Sequence, residues 1–353
     1  MKQQPNFLKK YNSGLVLGKF MPPHKGHEYM IRFAQQYVKN LYVIIDKTKN
    51  DAISLELRKL WLEEEISGIH VITLDEPTPQ DPSEHPDFWN FWKNTLLSSI
   101  EKYQHNLGIE KQIPEVLVAS MDYGWPLAKA LGCDFIQSDI ARTSFPVSAT
   151  QLRENIFEKW DFLIDSAKAH FAKKVCFVGP ESTGKSVCAQ KLAQHFKTIY
   201  VPEYAKAVIS SQQGEFFVHN VPEVIQAQIN SEKSLAKFSN KLLICDSDAI
   251  TTQIYAQELF SEFKKFPLIL EKIVEKSTYD LTFLFKPDIY TSHINDVHRN
   301  VLPDELRKYR DYFFMLFEKK LQFYNRKYIV IEGNYEERFE YCKNECLKLI
   351  NII

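Results

Sequence analysis

A glycine-rich segment at residues 179–186 has the spacing G-x-x-x-x-G-K-S, which is typical of loops that bind the phosphates of a nucleoside triphosphate. The apolar run at 174–178 directly before it predicts a strand, and the apolar residues at helical spacing within 187–196 predict a helix. Strand, loop and helix therefore follow one another in the order that phosphate binding requires. This segment predicts a binding site for a nucleoside triphosphate.

Two glycines, Gly179 and Gly184, allow the backbone of this loop to wrap around a phosphate beside the N–H groups of the helix start. Lys185 is expected to reach the β- and γ-phosphates, and the Ser186 hydroxyl is expected to ligate Mg²⁺. The other residues of the loop are candidates for contact with ATP: Pro180, Glu181, Ser182 and Thr183.

Three carboxylates at the ends of predicted strands complete this candidate site. The apolar run 242–245 ends in Asp246, which we expect to hold Mg²⁺. Asp248 follows two residues later, and Glu203 follows the predicted strand 198–201. Asp248 and Glu203 are alternatives for orienting or deprotonating an attacking hydroxyl, and each of the three carboxylates could instead be structural.

A second candidate phosphate site lies near the start of the chain, where the loop 18–27 joins a short apolar strand to a predicted helix. His24 and His27 offer N–H donors beside the helix N-terminus; the alternative is a surface turn with incidental histidines. The segment 146–153 places two hydroxyls and a cation at another helix start, namely Ser148, Thr150 and Arg153. The first half of the chain therefore predicts a phosphate site of its own.

A pair of tryptophans, Trp89 and Trp92, lies one helical turn apart after the proline-rich loop 77–86. Both rings could be core residues, since tryptophan is often largely buried. The alternative is an aromatic platform for a flat heterocycle, and a pyridinium ring would gain cation–π attraction there.

The motifs G-K-F-x-P-x-H-x-G-H and S-A-T-x-x-R resemble the two signature motifs of the nucleotidyltransferase superfamily. The resemblance implies that a nucleophilic phosphate attacks the α-phosphate of ATP and releases pyrophosphate. His24 and His27 would stabilise the α- and β-phosphates, and Lys19 would neutralise phosphate charge. The resemblance also implies that Ser148, Thr150 and Arg153 hold the β- and γ-phosphates, and that ATP contacts Gly18, Phe20 and Gly26.

Over nearly the whole chain, the order of motifs resembles the bifunctional nicotinamide mononucleotide adenylyltransferase/ribosylnicotinamide kinase family, the NadR-type proteins. The matching pieces include the W-x-x-W pair, G-P-E-S-T-G-K-S, P-E-Y and D-S-D-A-I-T-T. The resemblance implies ATP and Mg²⁺ as cofactors and stacking of a tryptophan on nicotinamide, for which Trp89 is favoured over Trp92. Further substrate-binding candidates are Arg58, Asp122, Arg142 and Tyr204.

The chain departs from this family at residues 293–299. There the family has a tryptophan followed by D-D-G-x-R, which forms a lid over the kinase site. His293 stands at the tryptophan position, while Asp296 and Arg299 match the family pattern. We expect His293 and Asp296 to contact substrate and Arg299 to stabilise charge during transfer.

The alternation of predicted strands and helices indicates an α/β protein of parallel sheets. We expect a Rossmann-like nucleotidyltransferase domain at 1–170, followed by a P-loop kinase domain at 171–353. The residues 156–172 are expected to form one helix that leads out of the first domain. Ten strands are predicted: 14–18, 41–46, 71–74, 116–119, 133–137, 174–178, 198–201, 241–245, 281–285 and 328–331.

A net charge of −1 at pH 7 gives no global basic field, so we expect neither nucleic-acid nor membrane partners. The six cysteines show no metal-ligand spacing and indicate a reducing compartment. We predict a cytoplasmic protein with no signal peptide and no DNA-binding domain. The sequence leaves the oligomeric state open, and a homo-oligomer is compatible with it.

The sequence therefore predicts an enzyme of NAD salvage that acts on small molecules. The second domain would phosphorylate ribosylnicotinamide with MgATP, and the first would adenylate the resulting nicotinamide mononucleotide to give NAD and pyrophosphate. Two alternatives stay open: a different nucleotidyltransferase and kinase pairing, or a regulator whose kinase half senses nucleotide without turnover.

Overall fold

The structure, a computed structural model, describes residues 11–139, 143–289 and 303–351. It contains two compact units, Met1–Ala167 and Lys168–Ile353, and each has a parallel sheet of its own. The division falls inside a helix at Asp165–Phe171, just before the boundary proposed from the sequence.

The first unit contains a five-stranded sheet in the order β3-β2-β1-β4-β5, with all neighbouring strands parallel. Its strands are β1 (Tyr11–Gly18), β2 (Val38–Lys47), β3 (His70–Pro77), β4 (Val116–Ala119) and β5 (Asp134–Gln137). The helices are α1 (Lys25–Gln35), α2 (Leu55–Glu65), α3 (Phe88–Leu107), α4 (Gly124–Leu131), α5 (Ala149–Glu154) and α6 (Asp165–Phe171). Because β1 lies between β2 and β4, the loop after it opens at the switch point of the strand order, where α/β sheets bind ligands.

The second unit contains another five-stranded parallel sheet, in the order β10-β9-β6-β8-β7. Its strands are β6 (Lys173–Val178), β7 (Ile199–Val201), β8 (Leu242–Asp246), β9 (Leu281–Phe285) and β10 (Tyr328–Ile331). The helices are α7 (Lys185–His195), α8 (Tyr204–Ser211), α9 (Asn220–Ala236), α10 (Ala249–Leu259), α11 (Leu268–Lys276), α12 (Pro303–Phe323) and α13 (Tyr335–Asn351). The central strand β6 delivers the glycine-rich loop, again at the switch point.

Both faces of each sheet are covered, which is why the strands are continuous apolar runs rather than alternating ones. In β1, Val16 packs into the cluster that contains Ile31 of α1, while Leu15 and Leu17 face the cluster that contains Leu96 of α3. The predicted α/β class with parallel sheets is confirmed, and each of the ten predicted strands has its counterpart in the structure.

The single helix predicted at 156–172 is wrong. The segment forms turns, a short 3₁₀ helix at Trp160–Phe162 and then α6. Leu163 is extended and pairs with His24 in an antiparallel bridge, while the backbone N–H of Ser166 donates to the Glu65 carboxylate at 2.9 Å. Trp160 and Leu163 are buried at a spacing that a helix would also give, so apolar periodicity alone misled the prediction.

Candidate active sites

A cleft of about 1090 Å³ opens at the carboxyl ends of β1 and β4 in the first unit. It is large enough for a nucleotide and a second substrate. The cleft brings together the predicted residues Gly18, Lys19, Phe20, His24, Gly26, His27, Trp89, Trp92, Asp122, Ser148, Thr150 and Arg153. Motifs that lie more than a hundred residues apart in sequence therefore meet at one site.

The two histidines form a stacked pair with ring centroids 3.7 Å apart. His24 is the N-cap of α1, and its Nδ1 accepts from the backbone N–H of Gly26 at 3.2 Å. A neutral His24 therefore carries its proton on Nε2. A Cβ at Gly26 would lie 3.1 Å from the His24 ring, so a side chain there would disturb the cap.

Helix α5 carries the second motif and begins with a capping box between Ser148 and Gln151. The Ser148 hydroxyl accepts from the Gln151 backbone N–H at 3.2 Å. Arg153 donates to the Met21 carbonyl at 2.5 Å and to the Thr150 hydroxyl at 3.1 Å. Arg153 thus ties α5 to the histidine loop and holds the two motifs in register.

The structure separates the two tryptophans. Trp92 is 5% exposed, belongs to the apolar core, and donates from Nε1 to the Pro79 carbonyl at 3.2 Å. Trp89 is only partly buried and lines the cleft. The platform role of Trp89 and the weaker candidacy of Asp122, an exposed residue on the cleft wall, stay predictions.

Arg58 is buried, although the sequence made it a candidate for substrate binding. Its side chain is 0% exposed, and its guanidinium donates to the carbonyls of Lys19 and Asp46 at 2.7 and 3.2 Å and pairs with the Asp51 carboxylate. These partners occupy the guanidinium and keep it off the cleft wall. The prediction that Arg58 binds substrate is therefore wrong. Arg58 instead braces the structure: its hydrogen bonds hold the backbone of Lys19 and the end of β2 in place.

This bracing leads to a stability prediction. We expect Arg58→Met to lower the free energy of unfolding by about 3 kcal/mol, because the Asp51 carboxylate and two carbonyls lose their buried partner. Urea unfolding of the purified variant measures this change. Lys59→Met is the matched control on the same helix; its surface pair with Glu63 is worth about 0–1 kcal/mol. An Arg58→Met protein of unchanged stability would contradict the bracing role.

Two further cleft residues were missed from the sequence, Asp46 and Tyr123. Asp46 is 4% exposed, and its Oδ2 accepts from Gln80 Nε2 at 3.0 Å. Burial raises the pKa of Asp46, and the Gln80 hydrogen bond and the charges of Lys19 and Arg58 only partly oppose that rise. Tyr123 donates to the Leu17 carbonyl at 2.9 Å. The sequence offered one indication of a site residue here, namely the position of Asp46 at the end of an apolar strand.

In the second unit, the glycine-rich loop has the backbone geometry that its glycines predict. Gly184 has φ 81° and is the N-cap of α7, and Gly179 has φ 137°. A Cβ at Gly179 would lie 2.7 Å from the carbonyl oxygen of Phe285 on β9. Both positions therefore require glycine, one for close approach to a neighbouring strand and both for positive φ.

Lys185 is buried beside the loop that it follows, and its Nζ donates to the Pro180 carbonyl at 3.3 Å. The Thr183 hydroxyl donates to the same carbonyl at 2.9 Å. Burial lowers the pKa of Lys185, although the carboxylates of Glu203 and Asp246 oppose that fall.

Arg338 of α13 clamps the loop, a role that no sequence motif indicated. It is 1% exposed and donates to the carbonyls of Thr183, Lys286 and Gly333 at 2.8, 3.0 and 2.7 Å. It also pairs with the Asp288 carboxylate. A helix near the end of the chain thereby fixes the backbone of the phosphate loop.

Asp246, at the end of β8, is fully buried and accepts from the Tyr200 hydroxyl at 2.7 Å. Its Oδ1 has no hydrogen-bond partner among the described residues. Lys206 Nζ lies 2.8 Å from Ser186 Oγ, 2.9 Å from Glu203 Oε2 and 3.6 Å from Asp246 Oδ2. Ser186, Glu203 and Asp246 therefore meet around one point, and the binding of Mg²⁺ by Ser186 and Asp246 stays a prediction.

This oxygen set fits Mg²⁺, which binds to one or two carboxylates and completes its shell with phosphate oxygens and water. The described ranges contain no group of three or more His, Cys, Asp or Glu side chains that could hold a metal by themselves. A metal at Ser186 and Asp246 would complete its shell with water or with the phosphate oxygens of a bound nucleotide.

Asp248 caps a helix, although one of the roles proposed for it was to orient or deprotonate the attacking hydroxyl. It is the N-cap of α10, and its Oδ1 accepts from both the backbone N–H and the hydroxyl of Thr251 at 2.8 Å. Burial raises the pKa of Asp248 to about 6. A buried carboxylate committed to a helix cap does not face a substrate, so Asp248 is structural and Glu203 is left as the candidate for the attacking hydroxyl.

The remaining candidates divide into two groups. Tyr204 begins α8, and its backbone N–H donates to Gln228 Oε1 at 2.9 Å; its predicted contact with substrate stays a prediction. Four predicted site residues lie outside the described residues: Arg142, His293, Asp296 and Arg299.

The sequence of this chain is similar to those of known proteins. A family model described as an AAA domain matches residues 174–338, which include the glycine-rich loop and Asp246. Two proteins called "Trifunctional NAD biosynthesis/regulator protein NadR" are 26% identical to this chain, one from Escherichia coli (strain K12) and one from Salmonella typhimurium (strain LT2). In each case the match covers 94% of this chain and 82% of the relative. The resemblance to NadR-type proteins is confirmed.

Two solved NadR structures have the same fold over almost the whole chain. A NadR protein "in complex with NR" superposes with a TM-score of 0.74, and one "in complex with NAD and AMP-PNP" with 0.72. Each is 22% identical and covers 98% of both chains. At 22% identity the NadR structures support the two-unit fold, while the proposed residue roles rest on the contacts in the cleft and around the phosphate loop.

Proposed function

We propose that this protein is a bifunctional enzyme of NAD synthesis, similar to NadR. It transfers the adenylyl group of ATP to nicotinamide mononucleotide, giving NAD and pyrophosphate, and it phosphorylates ribosylnicotinamide with MgATP, giving nicotinamide mononucleotide. The observation that carries this proposal is the convergence of the histidine loop, α5 and Trp89 on one cleft, in a chain that also holds a complete phosphate loop.

Adenylyl transfer would need positioning and charge stabilisation rather than a covalent intermediate. A phosphate oxygen of the mononucleotide attacks the α-phosphorus, and the bond to the β-phosphate oxygen breaks to release pyrophosphate. The proton on His24 Nε2 and the ring of His27 are placed to stabilise the charge that develops on the phosphates. Arg153 and Thr150 would hold the pyrophosphate end.

Phosphorylation would follow the in-line pattern of other phosphoryl transfers. A ribose hydroxyl oxygen attacks the γ-phosphorus, its proton passes to the Glu203 carboxylate, and ADP leaves. Lys185 and the N–H groups of the loop bind the β- and γ-phosphates. Ser186 and Asp246 would hold Mg²⁺, which when bound neutralises phosphate charge.

ATP and Mg²⁺ are the cofactors of this proposal, and the partners are small molecules. The ligands bound in the two NadR structures, NR in one and NAD and AMP-PNP in the other, support the same classes of ligand here. Among the described residues, none of the helices has the length and apolarity that crossing a membrane takes. The cytoplasmic location, the absence of nucleic-acid partners and the oligomeric state stay predictions.

The role of Trp89 gives the test of substrate class. We expect Trp89→Ala to raise the KM for nicotinamide mononucleotide about tenfold, because a stacked pyridinium loses about 1–2 kcal/mol. Steady-state kinetics of pyrophosphate release with ATP saturating measure this. Trp125→Ala is the matched control, since Trp125 is exposed and does not line the cleft. An unchanged KM in Trp89→Ala would favour a different acceptor for the same fold.

The reaction itself is tested by supplying ATP with nicotinamide mononucleotide, and in a separate reaction ATP with ribosylnicotinamide. We expect NAD and pyrophosphate from the first mixture and ADP from the second. Nucleotide binding without ADP formation in a single-turnover experiment would instead favour the sensor alternative for the second unit.

A further inference from the structure

The ammonium of Lys206 lies at the point where the metal-binding oxygens of the second unit converge. Its Nζ is 2.8 Å from Ser186 Oγ, 2.9 Å from Glu203 Oε2 and 3.6 Å from Asp246 Oδ2. Lys206 lies on the first turn of α8, and its side chain is 55% exposed, so the head group reaches the site from the solvent side.

An ammonium in this position and a divalent cation would share the same ligands. The ammonium already lies 2.8 Å from Ser186 Oγ and 3.6 Å from Asp246 Oδ2, and a metal ion would bind the same two oxygens at about 2 Å. Two cations that close repel each other strongly in a partly buried site. A metal ion therefore binds here only after Lys206 has moved away.

Lys206 also balances the charge of the site. With Lys185, it sets two positive charges against the carboxylates of Glu203 and Asp246, and the Glu181 carboxylate also acts on Lys185. The Lys206 ammonium therefore weakens the attraction of these carboxylates for a free divalent cation. The phosphates of ATP change the balance, since they bring several negative charges and oxygen ligands for both the metal and a displaced ammonium.

We propose that Lys206 is a resident counter-ion that closes the metal site in the absence of nucleotide, so that the divalent cation enters with ATP rather than before it. This inference rests on the proposed kinase function for the identity of the nucleotide. The side chain of Lys206 is 55% exposed and flexible, so its head group can leave the oxygens when phosphates arrive.

The test measures metal binding without any nucleotide. The full chain is titrated with Mn²⁺, and the free ion is followed by electron paramagnetic resonance. We expect Lys206→Met to bind Mn²⁺ at least about tenfold more tightly than the wild type, because two carboxylates and a hydroxyl lose their competing cation. The double variant Lys206→Met/Asp246→Asn should lose this gain, which places the ion at the proposed site.

Two controls keep the outcome decisive. Lys206→Arg retains a cation and should bind Mn²⁺ as weakly as the wild type; Lys191→Met removes an exposed lysine from α7 and should change nothing. Thermal unfolding confirms that each variant is folded. Equal Mn²⁺ affinity of the wild type and Lys206→Met would overturn the proposal. Because the readout needs no substrate, its failure is distinct from a failure to form ADP, which would overturn the kinase function.

Discussion

We expect Lys185→Ala to abolish phosphorylation of ribosylnicotinamide and to leave adenylyl transfer to nicotinamide mononucleotide nearly intact. The Lys185 ammonium is a positive charge buried beside the phosphate loop, and in the proposed function its loss would remove charge stabilisation from the transferred phosphoryl group. The expected fall in kcat for ADP formation is about a hundredfold or more. Two assays on one preparation, ADP release and pyrophosphate release, measure both effects.

Lys191→Ala is the control for this variant, because Lys191 is an exposed lysine on the same helix, α7. It should leave both reactions unchanged. If Lys185→Ala slowed both reactions in a folded protein, the assignment of one reaction to each unit would be wrong.

We expect His27→Ala to give the opposite pattern, with adenylyl transfer lowered about a hundredfold or more and phosphorylation retained. His27 lines the cleft and stacks on His24, so its removal deletes a donor beside the reacting phosphates. His27 is a cleaner target than His24, whose ring also caps α1. Pyrophosphate release at saturating ATP and mononucleotide measures the effect on kcat.

His105→Ala, in the last turn of α3, removes an exposed histidine from the same unit and should leave adenylyl transfer intact. Full adenylyl transfer by His27→Ala would mean that the histidine loop is not the reacting site of the first unit.

The strands and the phosphate loop were predictable because local sequence determines them. A strand covered on both faces, such as β6 or β8, is a continuous apolar run, and short polar connections mark its ends. Gly179 and Gly184 are required by positive φ at fixed positions of the loop, so the motif implies the backbone. The meeting of the histidine loop with α5 followed from parallel topology, since both lie at the carboxyl ends of strands.

The contacts that were not predicted are of two kinds. Asp248 is three residues before its partner Thr251, and an Asp at a helix start is an N-cap signal, but its place near Asp246 favoured a role in the site. The guanidinium of Arg58 also reaches the Lys19 carbonyl, 39 residues away. Arg338 reaches the phosphate loop from a helix more than a hundred residues later, and Lys206 reaches Ser186 from α8. The contacts of Arg58, Arg338 and Lys206 have no local sequence signature.

The segment at 156–172 shows the same limit in the fold. Its apolar spacing suits a helix, yet the bridge between Leu163 and His24 and the hydrogen bond from Ser166 to Glu65 impose an irregular path before α6. Tertiary contacts therefore overrode the periodicity there.

The most direct measurement supplies ribosylnicotinamide as the sole pyridine substrate, together with MgATP, and follows all products by chromatography. The proposed function predicts that NAD accumulates, with one ADP and one pyrophosphate formed for each NAD. Accumulation of nicotinamide mononucleotide without NAD, or no consumption of ribosylnicotinamide by a protein that binds ATP, would contradict it.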